Sequence, residues 1–346
     1  MKKISWLLML MILGSLLVLA ACGSDEETES DSGETEDTTD TEETSGDANS
    51  DGETYQIGVT QIVEHPSLDA AFEGFKTAMD DAGVNAEYDV QIAQGDQSNN
   101  QTIATNFVGD QMDLIFANST PSAQGALNAT SDIPIIFTSV SDPVGAELVP
   151  SMDEAGGNIT GTTDNHPEAI PSTVDFISNE LGAKKVGMIY NSGEQNSIAQ
   201  IELVKSAMEG TDLEIVERSV STSAEVQQAA EALVGKADVF YIITDNTVVS
   251  ALESVISVAN DQDIPVVAGE FDSVERGALA AYGFDYYDIG YQSGEMAAKV
   301  LKGEAEISSI APEVPGNLKL VMNKTAAEEQ GVEIKSEWEE KAEFVE

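Results

Sequence analysis

The sequence predicts an α/β protein made of two doubly wound parallel-sheet lobes joined by a three-stranded hinge. Short apolar, β-rich runs alternate with helical patterns, and this alternation occurs twice along the chain. Alternation of this kind is typical of βαβ units and parallel sheets. About 290 residues follow a polar N-terminal stretch, which suits two domains of about 100–200 residues each.

Residues 1–22 are predicted to be a lipoprotein signal peptide that ends in a lipid-attachment cysteine. Met1, Lys2 and Lys3 precede an apolar run over residues 4–21, as in a secretory signal. Small residues then precede Cys22, the only cysteine of the chain, as at the sites where bacterial lipoproteins are cleaved and acylated. The alternative is a transmembrane anchor with an incidental cysteine, because about 18 apolar residues can just span a bilayer. We expect lipid anchoring on the extracytoplasmic face of the cell membrane.

Residues 23–53 are predicted to be a disordered acidic linker. They contain 14 Asp or Glu and no Lys or Arg, and such a segment buries too little apolar surface to fold. Cation binding by this run is the weaker alternative, because charge runs are usually only solvated. Without these acids and the two N-terminal lysines, the remaining body keeps a net charge of −36. That charge excludes electrostatic binding to nucleic acid or to an anionic surface.

The elements of the body follow in order. The predicted strands are residues 56–60, 113–117, 133–137, 185–190, 237–243 and 264–268. The first helix carries an apolar stripe from Leu68 to Ala82, and Gly83 is placed to end it. A last helix over 289–302 and a strand over 318–322 take the chain between the two lobes again. Crossings between the lobes near 159–163, 281–285 and 318–323 are therefore expected to form the hinge. The predicted first lobe is 54–160 plus 286–317, and the second is 161–285 plus 318–346.

Four loops combine a preceding apolar strand with hydroxyl, amide or acid residues and a helix start. Thr120 is the expected N-cap of one helix, with Pro121 at its first position. Each loop alone could be simple helix capping, but loops at the carboxyl ends of strands in facing lobes are where open α/β sheets bind ligands. The predicted ligand-binding residues from these loops and from the first strand are Gln61, His65, Ser119, Thr120, Thr138, Ser139, Ser141, Asn191, Gln195, Asn196, Thr244, Asp245, Asn246 and Glu270.

An amino acid zwitterion would suit this set of side chains. Its carboxylate needs donors, for which we expect Ser119, Thr120 and Ser139, and its ammonium needs an acid, for which we expect Asp245 or Glu270. A catalytic site is not expected, because both histidines precede prolines and no HExxH, GxSxG, P-loop or GxGxxG pattern occurs. We therefore expect neither a cofactor nor a metal site, and we expect His65 to cap a helix or line the cleft.

Four stretches of the body carry a family resemblance: residues 61–69 (QIVEHPSLD), 137–143 (FTSVSDP), 244–253 and 276–287. Together they resemble the tryptophan/tyrosine-type ABC transporter substrate-binding proteins over residues 55–331. The resemblance implies a type I periplasmic-binding-protein fold and a separate permease and ATPase as partners. It also implies a free aromatic amino acid, such as tryptophan, tyrosine or phenylalanine, as the solute.

The sequence therefore predicts a monomeric, extracytoplasmic solute-binding lipoprotein of an ABC importer that captures its solute by hinge closure. The alternative from another functional class is a sensory lipoprotein that presents a small solute to a membrane receptor. A LacI-like regulator is excluded by the export signal and by the lack of a basic helix-turn-helix.

Overall fold

The computed structural model of the chain describes residues 54–346. The predicted signal peptide, Cys22 and the acidic linker lie outside the described residues. Within them, no helix is both long and apolar enough to cross a membrane.

The first half of the body forms one parallel sheet with three helices. Its strands are β1 (Thr54–Gln61), β2 (Asn85–Ile92), β3 (Leu114–Asn118), β4 (Ile135–Val140) and β5 (Ile159–Thr163), and its helices are α1 (Pro66–Asp81), α2 (Gln97–Gly109) and α3 (Thr120–Ala129). The strand order is β2-β1-β3-β4-β5. The central strands β3 and β4 are buried throughout because helices cover both faces of the sheet.

The sequence of α1 shows why this helix forms and where it stops. Leu68, Phe75 and Met79 recur at helical spacing and are buried against the sheet, and His65 caps the first turn by accepting from the Ser67 N–H. Gly83 adopts a φ of 70°, a left-handed conformation that costs glycine little and that ends the helix as expected.

The next part of the chain builds a second sheet. Its strands are β6 (Lys185–Asn191), β7 (Glu214–Val220), β8 (Val239–Ile242), β9 (Val266–Ala268) and β10 (Ala280–Gly283). Its helices are α4 (Ala169–Asp175), α5 (Gln195–Ala207), α6 (Val226–Glu231), α7 (Asn246–Val249), α8 (Leu252–Asn260) and α9 (Phe271–Glu275).

The chain then returns to the first sheet and comes back to the second. Helix α10 (Tyr286–Leu301) packs on α1, and a β-carbon on Gly290 would overlap the carbonyl of Ala71, so glycine is required for this close approach. The last elements are β11 (Lys319–Asn323), α11 (Lys324–Glu329), α12 (Ser336–Glu339) and β12 (Ala342–Val345). The second sheet has the order β12-β11-β10-β9-β8-β6-β7, and only the β10–β11 pair is antiparallel.

These elements define two lobes, and the predicted α/β fold class with two parallel-dominated sheets is confirmed. We call the first sheet with α1–α3 and α10 the first lobe, and the second sheet with its helices the second lobe. The chain passes between them three times, after β5, after β10 and before β11. The three expected crossings each overlap a strand, because 159–163 is β5, 281–285 begins within β10 and 318–323 contains β11. The residue boundaries predicted for the two lobes stay a prediction.

Candidate functional site

A cavity lies between the two lobes, at the carboxyl edges of both sheets. It encloses about 420 Å³ of space between atoms, part of it open to solvent. The first lobe lines it with Val63, His65, Ser67, Leu68, Ser139 and Tyr286. The second lobe lines it with Asn196, Thr244, Asn246, Val249 and Glu270, and Asp164 comes from the first crossing. Open α/β sheets bind ligands at this edge.

The structure brings six of the predicted site residues together in this cavity. They are His65, Ser139, Asn196, Thr244, Asn246 and Glu270. Ser139 has a φ of 57°, which is strained for a residue with a side chain, and its hydroxyl donates to Asn118 Oδ1 over 2.8 Å. The strained backbone of Ser139 is therefore fixed by a buried neighbour at the point where the loop meets the cavity.

Three further predicted residues of the first lobe support the cavity from outside. Gln61 accepts from Asn118 Nδ2 over 3.0 Å and donates to the Val63 carbonyl over 2.8 Å. Thr138 shares a hydrogen bond of 2.9 Å with Thr162. Ser141 accepts from Gln200 Nε2 over 3.0 Å, and the same amide donates to Thr244 over 2.7 Å. The Gln200 side chain thereby joins the two lobes.

The expectation that Thr120 caps α3 is wrong. Ser119 is the N-cap, because its hydroxyl accepts from the Ser122 N–H over 3.2 Å, whereas Thr120 is already helical. Ser119 reaches this position with a φ of 136°. The hydroxyl of Thr120 is buried and has no hydrogen-bond partner among the described residues, and neither residue lines the cavity.

Asp245 is buried beside the cavity, but its carboxylate is already occupied. It accepts from the Asn191 N–H over 2.6 Å, from the Ser197 hydroxyl over 2.7 Å and from the Val248 N–H over 2.8 Å, the last as the cap of α7. Burial, with Glu194 nearby, raises the pKa of Asp245. These contacts hold the loops of the second lobe together.

Asn191 and Gln195 lie in the same supporting layer of the second lobe. Asn191 accepts from the Gly193 N–H over 2.8 Å, and Gln195 carries a buried side-chain oxygen that no group of the described body hydrogen-bonds. Glu194, which the sequence analysis did not select, accepts from the backbone and side chain of Asn246 and so positions a cavity residue.

Asp164 is the charged residue of the cavity that sequence reasoning missed. Its Oδ2 accepts from the Tyr286 hydroxyl over 3.0 Å, whereas its Oδ1 is buried and has no hydrogen-bond partner within residues 54–346. Burial raises the pKa of this carboxyl, whereas the nearby hydroxyls of Ser141, Tyr286 and Thr244 act to lower it. Asp164 directly follows strand β5, so the rule that selected the other loops would have found it.

Glu270 is the second acid of the cavity and also the N-cap of α9. Its carboxylate accepts from the Ser273 N–H and hydroxyl, and from the Ser67 hydroxyl of the first lobe over 2.8 Å. Burial raises the pKa of Glu270. Ser67 also lies 2.5 Å from Asp272 Oδ2, so two acids of the second lobe meet one hydroxyl of the first.

His65 closes the same side of the cavity. Its Nε2 lies 2.9 Å from Arg276 Nη1 of the second lobe. Burial and the Arg276 charge lower the pKa of His65 to about 4. His65 is therefore neutral at pH 7. The prediction that it caps a helix or lines the cleft is confirmed on both counts.

The charged side chains that line the cavity are all acidic. Asp164 and Glu270 contribute carboxyl groups, while no lysine or arginine of the described part of the chain lines the cavity. The remaining polar lining consists of neutral hydroxyl, amide and imidazole groups. A group with positive charge would therefore find two acids, and a negative group would find only neutral donors.

Comparison with known proteins assigns this architecture. A family model described as ABC transporter substrate binding protein matches residues 56–345. A tyrosine-binding protein of Clostridioides difficile (strain R20291) is 48% identical over 254 residues, which cover 72% of this chain and 73% of that protein. These matches, with the sheet topology, agree with the expected type I periplasmic-binding-protein fold.

Two solved structures bear on the conformation. An ABC domain from Streptococcus pneumonia in complex with L-Trp is 32% identical with a TM-score of 0.80, and covers 85% of this chain and 100% of that chain. The ligand-free, open structure of a substrate binding protein with adhesive properties from Clostridium difficile is 40% identical, with a TM-score of 0.63 over 84% of this chain and 99% of that chain. The chain thus superposes better on the ligand-bound structure, although that sequence is less similar.

Proposed function

The chain belongs to the ABC transporter substrate-binding protein family and is not an enzyme, and on this premise we propose that it captures a free aromatic amino acid for an ABC importer. Tryptophan, tyrosine and phenylalanine are the proposed solutes. The tyrosine-binding relative and the tryptophan complex support this choice.

The observation that carries the proposal is the free oxygen of Asp164. A buried carboxylate oxygen without a partner is costly unless a ligand or a proton satisfies it. An amino acid ammonium supplies both the hydrogen-bond donors and the opposite charge. We therefore place the ammonium at Asp164 Oδ1, with Glu270 as the second acid of the same cavity.

The rest of the zwitterion follows from the remaining lining. The carboxylate goes to neutral donors, for which the cavity offers Asn196, Thr244 and Asn246. The aromatic side chain goes to the apolar lining. This lining consists of Val63, Leu68, Val249 and the ring of Tyr286.

Capture is proposed to proceed by hinge closure. The better superposition on the tryptophan-bound structure than on the open structure supports reading the described conformation as the closed one. Contacts from both lobes to one ligand supply the differential affinity that shifts the population toward the closed form. The hinge consists of the three crossing segments, and the predicted lobe boundaries at 160, 285 and 317 lie in or beside them.

The protein is proposed to work at the outer face of the membrane, tethered by a lipid on Cys22 and by the acidic linker, and to deliver solute to a permease and its ATPase. Metabolic labelling with a fatty acid tests the anchor. Label should appear in the wild type and be absent from Cys22→Ser, and equal labelling of both would contradict it.

A thermal-shift screen of the three aromatic amino acids, sugars and nucleosides tests the solute class. A ligand that binds only the native state raises the apparent stability. We expect a rise with at least one aromatic amino acid and none with sugars or nucleosides. A rise with a sugar or nucleoside alone would contradict the proposed solute.

A further inference from the structure

The contact between Ser67, Glu270 and Asp272 joins the two lobes without any ligand. Ser67 lies in the first turn of α1, and the two acids begin α9. The Ser67 oxygen is 2.8 Å from Glu270 Oε2 and 2.5 Å from Asp272 Oδ2. We call these three residues the acid latch.

The hydrogens of the acid latch do not suffice for both contacts when both acids are ionised. A serine hydroxyl has one hydrogen, and an ionised carboxylate can only accept. Ser67 can therefore donate to one acid, and its contact with the other would bring two acceptors together. One proton on either carboxyl turns both contacts into hydrogen bonds.

Within the described part of the chain, the surroundings of the acid latch offer no unpaired positive charge to replace that proton. The titratable groups that face it are His65 and Asp69 from α1 and its preceding loop, Glu253 from α8, Arg276 from the end of α9, and Asp285 and Tyr286 at the start of α10. Arg276 is paired with Glu253 at 2.8 Å. His65 is neutral, and the other groups are acids or a phenol.

We propose that closure of the empty cleft takes up one proton. The carboxyl of Glu270 or Asp272 holds this proton while both acids contact the Ser67 hydroxyl. This inference rests on the hinge closure proposed above and adds its regulation: acid favours the closed, empty form. Opening the cleft removes Ser67 and returns both carboxyls to water, where each is ionised above about pH 5.

The direction in which pH changes the ratio of closed to open molecules follows from proton linkage. Burial raises the pKa of Glu270 and of Asp272 in the described conformation. The closed form therefore binds more protons than the open form between the ordinary and the raised pKa. The ratio of closed to open molecules should rise by up to about tenfold for each unit by which the pH falls in that window.

The experiment measures the distance between lobes in ligand-free protein. Spin labels on Gln101→Cys in α2 and Gln228→Cys in α6, both exposed, report this distance by pulsed electron resonance in a full chain carrying Cys22→Ser. The pH is lowered from about 8 to about 5.5, above the pKa of about 4 at which His65 would gain charge. We expect the short-distance population to grow as the pH falls.

Two substitutions and a control assign the effect to the acid latch. Asp272→Asn and Glu270→Gln each replace one acid by an amide that can donate to Ser67, so each should flatten the dependence on pH. Asp153→Asn, at an exposed carboxyl away from the cleft, should keep the wild-type dependence. A wild-type distance that does not change with pH, or an unchanged dependence in both latch variants, overturns the proposal.

Added tyrosine separates this proposal from the proposed function. If tyrosine shortens the distance and acid does not, the acid latch proposal fails and the proposed function stands. If acid shortens the distance and tyrosine does not, the acid latch stands and the choice of solute fails. If neither shortens it, hinge closure and the acid latch both fail.

Discussion

The hydroxyl of Tyr286 donates a hydrogen bond to Oδ2 of Asp164 over 3.0 Å, and this contact joins the first crossing segment to the start of α10. The ring of Tyr286 stacks on Phe284 at a centroid distance of 5.6 Å, which holds the hydroxyl in place. Because the phenol occupies Oδ2, Oδ1 is the oxygen of Asp164 that remains for a ligand.

Tyr286→Phe should weaken tyrosine binding by about tenfold or more. The substitution keeps the ring but removes a hydrogen bond to a charged group, worth about 1.5–3 kcal/mol, at about 1.4 kcal/mol per decade of affinity. Calorimetric titration measures the loss. Tyr287→Phe is the matched control, because Tyr287 follows in the same helix and does not line the cavity. Equal affinities of both variants would remove Tyr286 from the site.

Asp245→Asn should lower stability more than it alters the site directly. The amide nitrogen cannot accept from the three groups that Asp245 now serves, so at least one buried donor loses its partner. We expect a loss of about 1–3 kcal/mol in the free energy of unfolding, measured by denaturant titration. Unchanged stability with a loss of ligand affinity as large as that of Asp164→Asn would show that Asp245 contacts the ligand itself.

Tyrosine affinity should fall as the pH is lowered. Burial raises the pKa of Asp164 and Glu270 in the empty cleft, and a bound ammonium favours their ionised forms. Binding is therefore strongest above these raised pKa values and weakens as the pH falls through them, by up to about tenfold per unit for each proton displaced. Titrations between about pH 8 and about pH 5 measure this, and tighter binding in acid would contradict the proposed ammonium partners.

The sequence predicts the central strands better than the edges. β3, β4 and β8 are buried apolar runs and were predicted, whereas β2 and β7 lie beside one neighbour only and consist largely of half-buried and exposed residues. Their polar sequences resemble loops because one strand edge and much of each face remain in water. β12 lies in the acidic C-terminal segment and was missed for the same reason.

The sequence predicted which loops meet at the candidate site, but not which of their side chains face the cavity. Loops after parallel strands were correctly expected to converge, since six of the predicted residues meet in one cavity. Whether an acidic side chain faces the cavity or the loop behind it depends on the orientation of that side chain, which the spacing of residues in the sequence does not specify. The sequence therefore favoured Asp245, whose oxygens accept hydrogen bonds from the neighbouring loops. The carboxylate oxygen without a partner in the described body belongs instead to Asp164.

The most direct test of the account is calorimetric titration of tyrosine, tryptophan and phenylalanine into wild type, Asp164→Asn and the control Asp153→Asn. Removing one partner of a buried ion pair costs about 3–5 kcal/mol, so Asp164→Asn should lose at least about a hundredfold in affinity. The control should bind as the wild type does. Wild-type affinity in Asp164→Asn would contradict the central claim that Asp164 holds the ammonium of the solute.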